Sequence, residues 1–304
     1  MALTEPFVDI PALSFFLESI GSHHVDLVYV PQNILKSGTL SLYHYTDLSG
    51  LIGIVEKHDL WVSHSRYSND EEEMTHGISV VRSALKRATE SGKHDGEYLQ
   101  TLTKLTEEPE GVYICCFCEK DNLLSQWRGY GANGTGVSLQ FAPKEFADVA
   151  GPDNTQGLLR FWKVFYQPQT QNDIVDQAVA HYAPRINIGQ SVADLARKAA
   201  DAIRFFIPTF KNADFQEESE WRLIFTPSPN TTINPHFRVS RNMLVPFYSL
   251  RELIGSGLPQ LPIRRVLLGP SVQKRLNVES TKALLAEYGY SAVPVTASDT
   301  PYRA

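Results

Sequence analysis

Residues 216–225 read "QEESEWRLIF". The hydrophobic positions from Trp221 onward, with one arginine among them, predict a strand over 221–226. Its front end is the difficulty: Glu217, Glu218 and Glu220 put three carboxylates into four residues. On an extended chain Glu218 and Glu220, two apart, project from the same face. Like charges held side by side destabilise one another, and strands are poor in Glu. Two explanations stand. Either the carboxylates form an exposed strand end neutralised by Arg222 or Lys211, with Arg222 on their own face, or they do chemistry.

Outward from this strand the order of elements sets the fold class. Strands are expected at 40–45, 60–63, 112–118, 136–141, 161–166, 243–247, 264–268 and 290–295. Helices are expected near 10–20, 47–57, 70–90, 96–107, 121–129, 172–183, 190–206 and 273–288. Regular βαβ alternation is missing, which predicts an α+β fold with a mixed, largely antiparallel sheet and peripheral helices. Residues 1–36 read as an N-terminal helical extension, with Ile10, Leu13, Phe16, Leu17 and Ile20 on one helix face. Residues 37–304 read as a single domain with a helical insertion near 170–210. "SNDEEE" (68–73) offers Asn69 or Asp70 as a helix cap.

The 304 residues are 42% hydrophobic, 20% charged and 11% aromatic, enough for a sizeable core. A formal charge of −6 gives no general pull toward nucleic acid or anionic membranes. The amino terminus lacks the basic start and long apolar centre of a secretory signal, and no apolar run reaches spanning length. Cys115, Cys116 and Cys118, crowded into "CCFC", make no disulfide framework and no CxxC metal spacing. They read as small hydrophobes in a buried strand. A soluble, reduced, cytoplasmic protein with no membrane partner is expected.

Two further patches join polar groups to strand ends. In "LYHYTDLSG" (42–50) a strand ends at Tyr43-His44-Tyr45-Thr46, and Thr46 or Asp47 caps the next helix. His44 reads equally as a satisfied core histidine or a site residue. In "CEKDNLLSQWRGYGANGTGVSLQF" (118–141) a short helix carries Trp127 and Tyr130, three apart and so on one face. Ser125, Gln126 and Arg128 add polar groups that a core helix does not need. The glycines after it permit a tight turn; without GK[ST] they make no phosphate loop.

These motifs, with "RRVLLGPSV" and "YGYSAVPVTASDTPYR", resemble an uncharacterised bacterial family catalogued as a domain of unknown function (family 2971). The likeness covers most of residues 40–302. More distantly, Tyr43-His44-Tyr45-Thr46 looks like the Tyr-His-Gly-Thr strand of diphtheria-toxin-like ADP-ribosyltransferases. Glu218-Ser219-Glu220 looks like their Glu-x-Glu strand. Tyr45 departs from that pattern, standing where those enzymes have a glycine whose backbone holds the nicotinamide amide.

The distant resemblance implies a split sheet and an NAD-consuming enzyme, a toxin or defence effector. NAD would be the substrate, with an unknown acceptor (protein, nucleic acid or small molecule) and a cognate antidote protein as partners. Glu220 would stabilise the oxocarbenium-like state at the ribose, and Glu218, its pKa raised by Glu220, would act on the acceptor. His44 would anchor the cofactor together with Tyr45, Thr46 and Ser125, and Trp127 or Tyr130 would stack on nicotinamide. The runner-up is a non-catalytic module binding a nucleotide or a partner segment. A metal-dependent hydrolase built from His44, His64, Asp70 and Glu220 has no ligand spacing to support it.

Overall fold

The computed structural model of the protein describes residues 28–29, 40–67, 72–106, 111–149, 156–240, 242–255, 259–270 and 273–300. The helix expected over 10–20 and the caps Asn69 and Asp70 lie outside these residues, as does most of the 1–36 extension. The described residues fall into two compact units, one of residues 72–106 and 165–215, the other of the remainder.

The first unit is helical. It contains α2 (Glu72–Ser91), α3 (Gly96–Thr106), α6 (Pro168–Tyr182) and α7 (Val192–Phe206). In α7, Leu195, Ala196, Ala199, Ala200, Ile203 and Phe206 are buried, a three-and-four spacing that draws one apolar face along the helix. Ser191 caps it through its hydroxyl and the Asp194 amide. The helices expected at 172–183 and 190–206 thus pack with those of 72–106.

The second unit holds the sheet. Its strands are β1 (Val28–Tyr29), β2 (Leu42–Thr46), β3 (Trp61–His64), β4 (Tyr113–Cys118), β5 (Val137–Phe141), β6 (Gly157–Lys163), β7 (Glu220–Pro227), β8 (His236–Ser240), β9 (Met243–Ser249), β10 (Arg265–Leu268) and β11 (Val295–Ala297). Between them lie α1 (Leu48–Lys57), α4 (Leu124–Gly129), α5 (Pro143–Val149), α8 (Leu250–Ile254) and α9 (Lys274–Glu287). The β1–β6 and β10–β11 pairs are parallel and the rest antiparallel, so the sheet is mixed and the fold α+β as expected. Two strands sit off their expected positions. The 161–166 strand begins at Gly157, and the 290–295 strand begins only at Val295; Tyr290, ahead of it, receives the Leu261 amide on its hydroxyl.

The sheet forks at β4. One edge of β4 pairs with β7 along its whole length. The other edge is shared: Ser63 and His64 of β3 pair at Ile114 and Tyr113, while β2 pairs at a single position, Tyr43 with Cys118. From that edge β2, β5, β10 and β11 run as one arm and β3, β9 and β8 as another.

The main core lies on one face, where Leu42, Phe117, Leu139, Phe141, Phe161, Trp221, Leu223 and Phe225 are buried together. Phe117 sits 5.4 Å from Phe161 and 5.9 Å from Phe141, centroid to centroid. Removing such a ring costs about 3–5 kcal/mol. β7 alternates cleanly, with Trp221, Leu223 and Phe225 on the core side and Glu220, Arg222 and Ile224 opposite. The strand is buried on both faces, so its carboxylate and guanidinium must find partners inside.

Candidate functional site

His44 stands at the fork. Its Nδ1 is 2.9 Å from the Cys116 carbonyl, in the gap where β2 has parted from β4. A carbonyl only accepts, so Nδ1 carries the proton and the neutral ring keeps Nε2 bare. Burial lowers the His44 pKa below the ordinary imidazole value, against the raising effect of the carbonyl. The ring is therefore neutral near pH 7. It also tilts against Phe117 at 5.6 Å.

Tyr45 points the other way. Its hydroxyl donates to the Lys120 carbonyl (2.8 Å) and accepts from the Leu123 amide (3.0 Å). Burial pushes its phenol well above the ordinary range. The ring meets Trp127 edge-on at 4.8 Å. Trp127 is wholly buried and donates its Nε1 proton to Asn122, which also accepts from Ser298. These residues hold the 118–124 loop and α4 in place.

Helix α4 ends at Gly129, so Tyr130 is not on its face with Trp127, as the spacing predicts, but follows the last turn and is 37% exposed. A Cβ on Gly131 would fall 2.6 Å from the Trp127 ring and one on Gly136 only 2.2 Å from the Thr46 carbonyl. That closeness explains the glycines without a phosphate loop.

The paired glutamates differ from the extended-chain expectation. Glu218 closes a 3-10 turn (Ala213–Glu218), and β7 begins only at Glu220. Between them Ser219 takes φ +45°, a left-handed backbone uncommon for a residue with a side chain. Three contacts fix the turn. The Glu119 amide donates to the Ser219 carbonyl (3.1 Å), the Ser219 amide to Gln216 (3.2 Å) and the Lys120 ammonium to the Glu217 carbonyl (3.1 Å). Glu220 is 4% exposed and meets Arg222 in a two-point bridge, Nε to Oε1 at 2.7 Å and Nη2 to Oε2 at 3.0 Å. The ladder of opposite charge is real for Glu220 and Arg222.

A cleft of about 350 Å³, partly open to solvent, is lined by Tyr43, His44, Tyr45, Cys116, Phe117, Gln126, Tyr130, Glu218 and Glu220. Of the residues expected at a site, His44, Tyr45, Tyr130, Glu218 and Glu220 come together here. Thr46, Ser125 and Trp127 do not line it. Asp47, not Thr46, caps α1, receiving the Gly50 amide at 2.6 Å. Gln126, like Tyr43 and Cys116, is a lining residue with a functional side chain to which the sequence reading gave no site role. Its signal was an amide one position before a buried tryptophan on a short helix.

The three cysteines form no disulfide, and burial pushes the Cys115 and Cys118 thiols up to about 12 and about 11. Among the described residues no three His, Cys, Asp or Glu side chains converge as metal ligands. Asp70 of the hydrolase alternative is outside those residues, and His64 does not line the cleft. No described helix is long and apolar enough to cross a membrane.

Residues 126–223 match the model of a family described as "Protein of unknown function (DUF2971)". Gln126, Tyr130, Glu218 and Glu220 all lie within that span. No curated protein and no solved structure matches the chain significantly, and none of the comparisons supports the likeness to ADP-ribosyltransferases.

Proposed function

We propose that the cleft binds the nicotinamide–ribose end of NAD and breaks the bond between the two, as in ADP-ribosyl transfer. One observation carries the reading: His44, Tyr130 and the Glu218/Glu220 pair, from three distant stretches of chain, line one pocket.

In this scheme the C1′–N1 bond breaks and its electron pair leaves with nicotinamide. Positive charge develops on the ribose, where the Glu220 carboxylate stabilises it. Pre-placed charge of this kind is worth about 3–4 kcal/mol. Arg222 holds the carboxylate in one orientation and also draws part of its field. The acceptor attacks C1′ and gives its proton to Glu218. Tyr130, exposed where Trp127 is buried, takes the stacking role. His44 offers a bare Nε2 that accepts from a ribose hydroxyl. The Tyr45 phenol, engaged by Lys120 and Leu123, is held by the loop rather than loose in the pocket.

A second reading is favoured by the Glu220–Arg222 bridge, since a buried ion pair stabilises a strand carboxylate with no chemistry required. The same cleft would then be a non-catalytic nucleotide- or partner-binding module. Labelled NAD, incubated with the protein and cell extract, separates the two. Free nicotinamide, reduced at least tenfold in Tyr130→Ala and Glu218→Gln, is the expected result. Calorimetric binding of NAD without nicotinamide release overturns the enzyme and leaves the module.

A further inference from the structure

The β8–β9 hairpin wears its apolar side chains outward. Phe237 stands opposite Pro246 and Val239 opposite Leu244 in the register, so these four side chains share one face. Phe237 is 62% exposed, Val239 76% and Leu244 64%. The other face carries Arg238, Ser240, Val245 and Phe247, and there Val245 and Phe247 are buried. An antiparallel pair covered on one side ordinarily turns its polar residues to water. This one turns out a face with no charged side chain on it.

The hairpin also outruns the sheet. Among the described strands β8 pairs with β9 alone, and β9 meets β3 only at residues 247–249. Residues 243–246 and β8 therefore extend as a two-stranded ribbon. Such a ribbon is marginal in water until a further strand or layer covers it. Contiguous exposed apolar surface of this kind marks an interaction site.

The chemistry of the face narrows what covers it. Elements that lie on membranes ring their apolar side with lysine and arginine. Here Arg238 is turned to the opposite face, where it donates to the Ser63 hydroxyl (3.3 Å) and lies 6.0 Å from the centre of the Trp61 ring. Nor does the face supply a charged group to select a foreign segment. An identical copy needs none, since an uncharged apolar patch complements itself and sets no like charges together. Packed face to face across a two-fold axis, two copies of Phe237, Val239, Leu244 and Pro246 would bury on the order of 1,000 Å², about the least that a specific interface requires.

We propose that this face of the β8–β9 hairpin is the interface of a symmetric dimer, its partner a second copy of the chain. The small area sets a reversible contact, with a dissociation constant on the order of 10 µM.

Sedimentation velocity of the full-length protein from about 1 to 100 µM tests this, the unmodified chain passing from monomer to dimer across the range. Leu244→Asp is expected to weaken association at least tenfold, because it sets a carboxylate in the apolar contact. Val239→Thr keeps the branched shape of a strand residue and should weaken it in the same direction without unfolding the hairpin. Leu276→Asp, which places the same charge at a 60% exposed leucine of α9, should leave the dimer intact. A chain that stays monomeric at the highest concentration overturns the proposal, and if that monomer sediments with anionic phospholipid vesicles, the face belongs to lipid. A dimer that survives both Leu244→Asp and Val239→Thr lies elsewhere on the molecule and overturns it equally.

Discussion

The imidazole of His44 and the carbonyl of Cys116, 72 residues apart in sequence, meet at 2.9 Å in the gap where two strands of the sheet separate. A peptide oxygen that would otherwise have no ladder partner is satisfied by a side chain, and that side chain is fixed at the wall of the cleft.

The first prediction concerns acid. The folded-state pKa of His44 lies below its unfolded value near 6.5, so the unfolded chain takes up the proton first. Stability is therefore complete above pH 6.5 and declines as pH falls from there toward the folded-state pKa. The slope from this one group approaches about 1.4 kcal/mol per pH unit within that window. His44→Asn keeps a donor for the Cys116 carbonyl and removes the titration. Urea unfolding of both proteins between pH 7.5 and 5 is expected to show a shallower pH slope in the variant.

Glu220→Gln is expected to destabilise the protein by about 3–5 kcal/mol, because it removes the carboxylate bridged to the buried Arg222 guanidinium. Replacing both, Glu220→Leu with Arg222→Met, should cost less than the single change. Denaturant midpoints of the two variants check this. A double variant less stable than the single would show that the bridge contributes net stability.

Tyr45→Phe removes one donor and one acceptor at once while leaving the ring on Trp127. A loss of about 1–3 kcal/mol is expected, since the Lys120 carbonyl and Leu123 amide are left without their partner. Faster proteolysis within residues 118–124 should accompany it.

Ser219 separates strain from function. Glycine adopts its φ of +45° without steric cost, so Ser219→Gly is expected to keep stability or gain up to about 1 kcal/mol. Ser219→Val should lose about 1–3 kcal/mol. Chemical denaturation measures both, and nicotinamide release should follow the geometry: retained with glycine and reduced with valine.

The sequence made the local features readable. The strand at 221–226 and the caps offered at Thr46 or Asp47 depend on periodicity and near neighbours, and both appear as β7 and as Asp47 capping α1. Long-range contacts decided the rest. Glu218 leaves the strand because Glu119 and Lys120 grip the turn around Ser219, some 100 residues away in sequence. Trp127 and Tyr130 part because Trp127 is claimed by Tyr45 and Asn122. Gln126 declares itself only once the fold has brought its short helix to the cleft wall.

Among the described strands, β4 is the one bonded to three others. A single-residue insertion within 113–118 would swap Phe117 and Cys116 between the two faces of the sheet. It would shift the register against β2, β3 and β7 together. Length variation across homologous chains should accordingly gather in the connections and spare this hexapeptide, whatever its cysteines become.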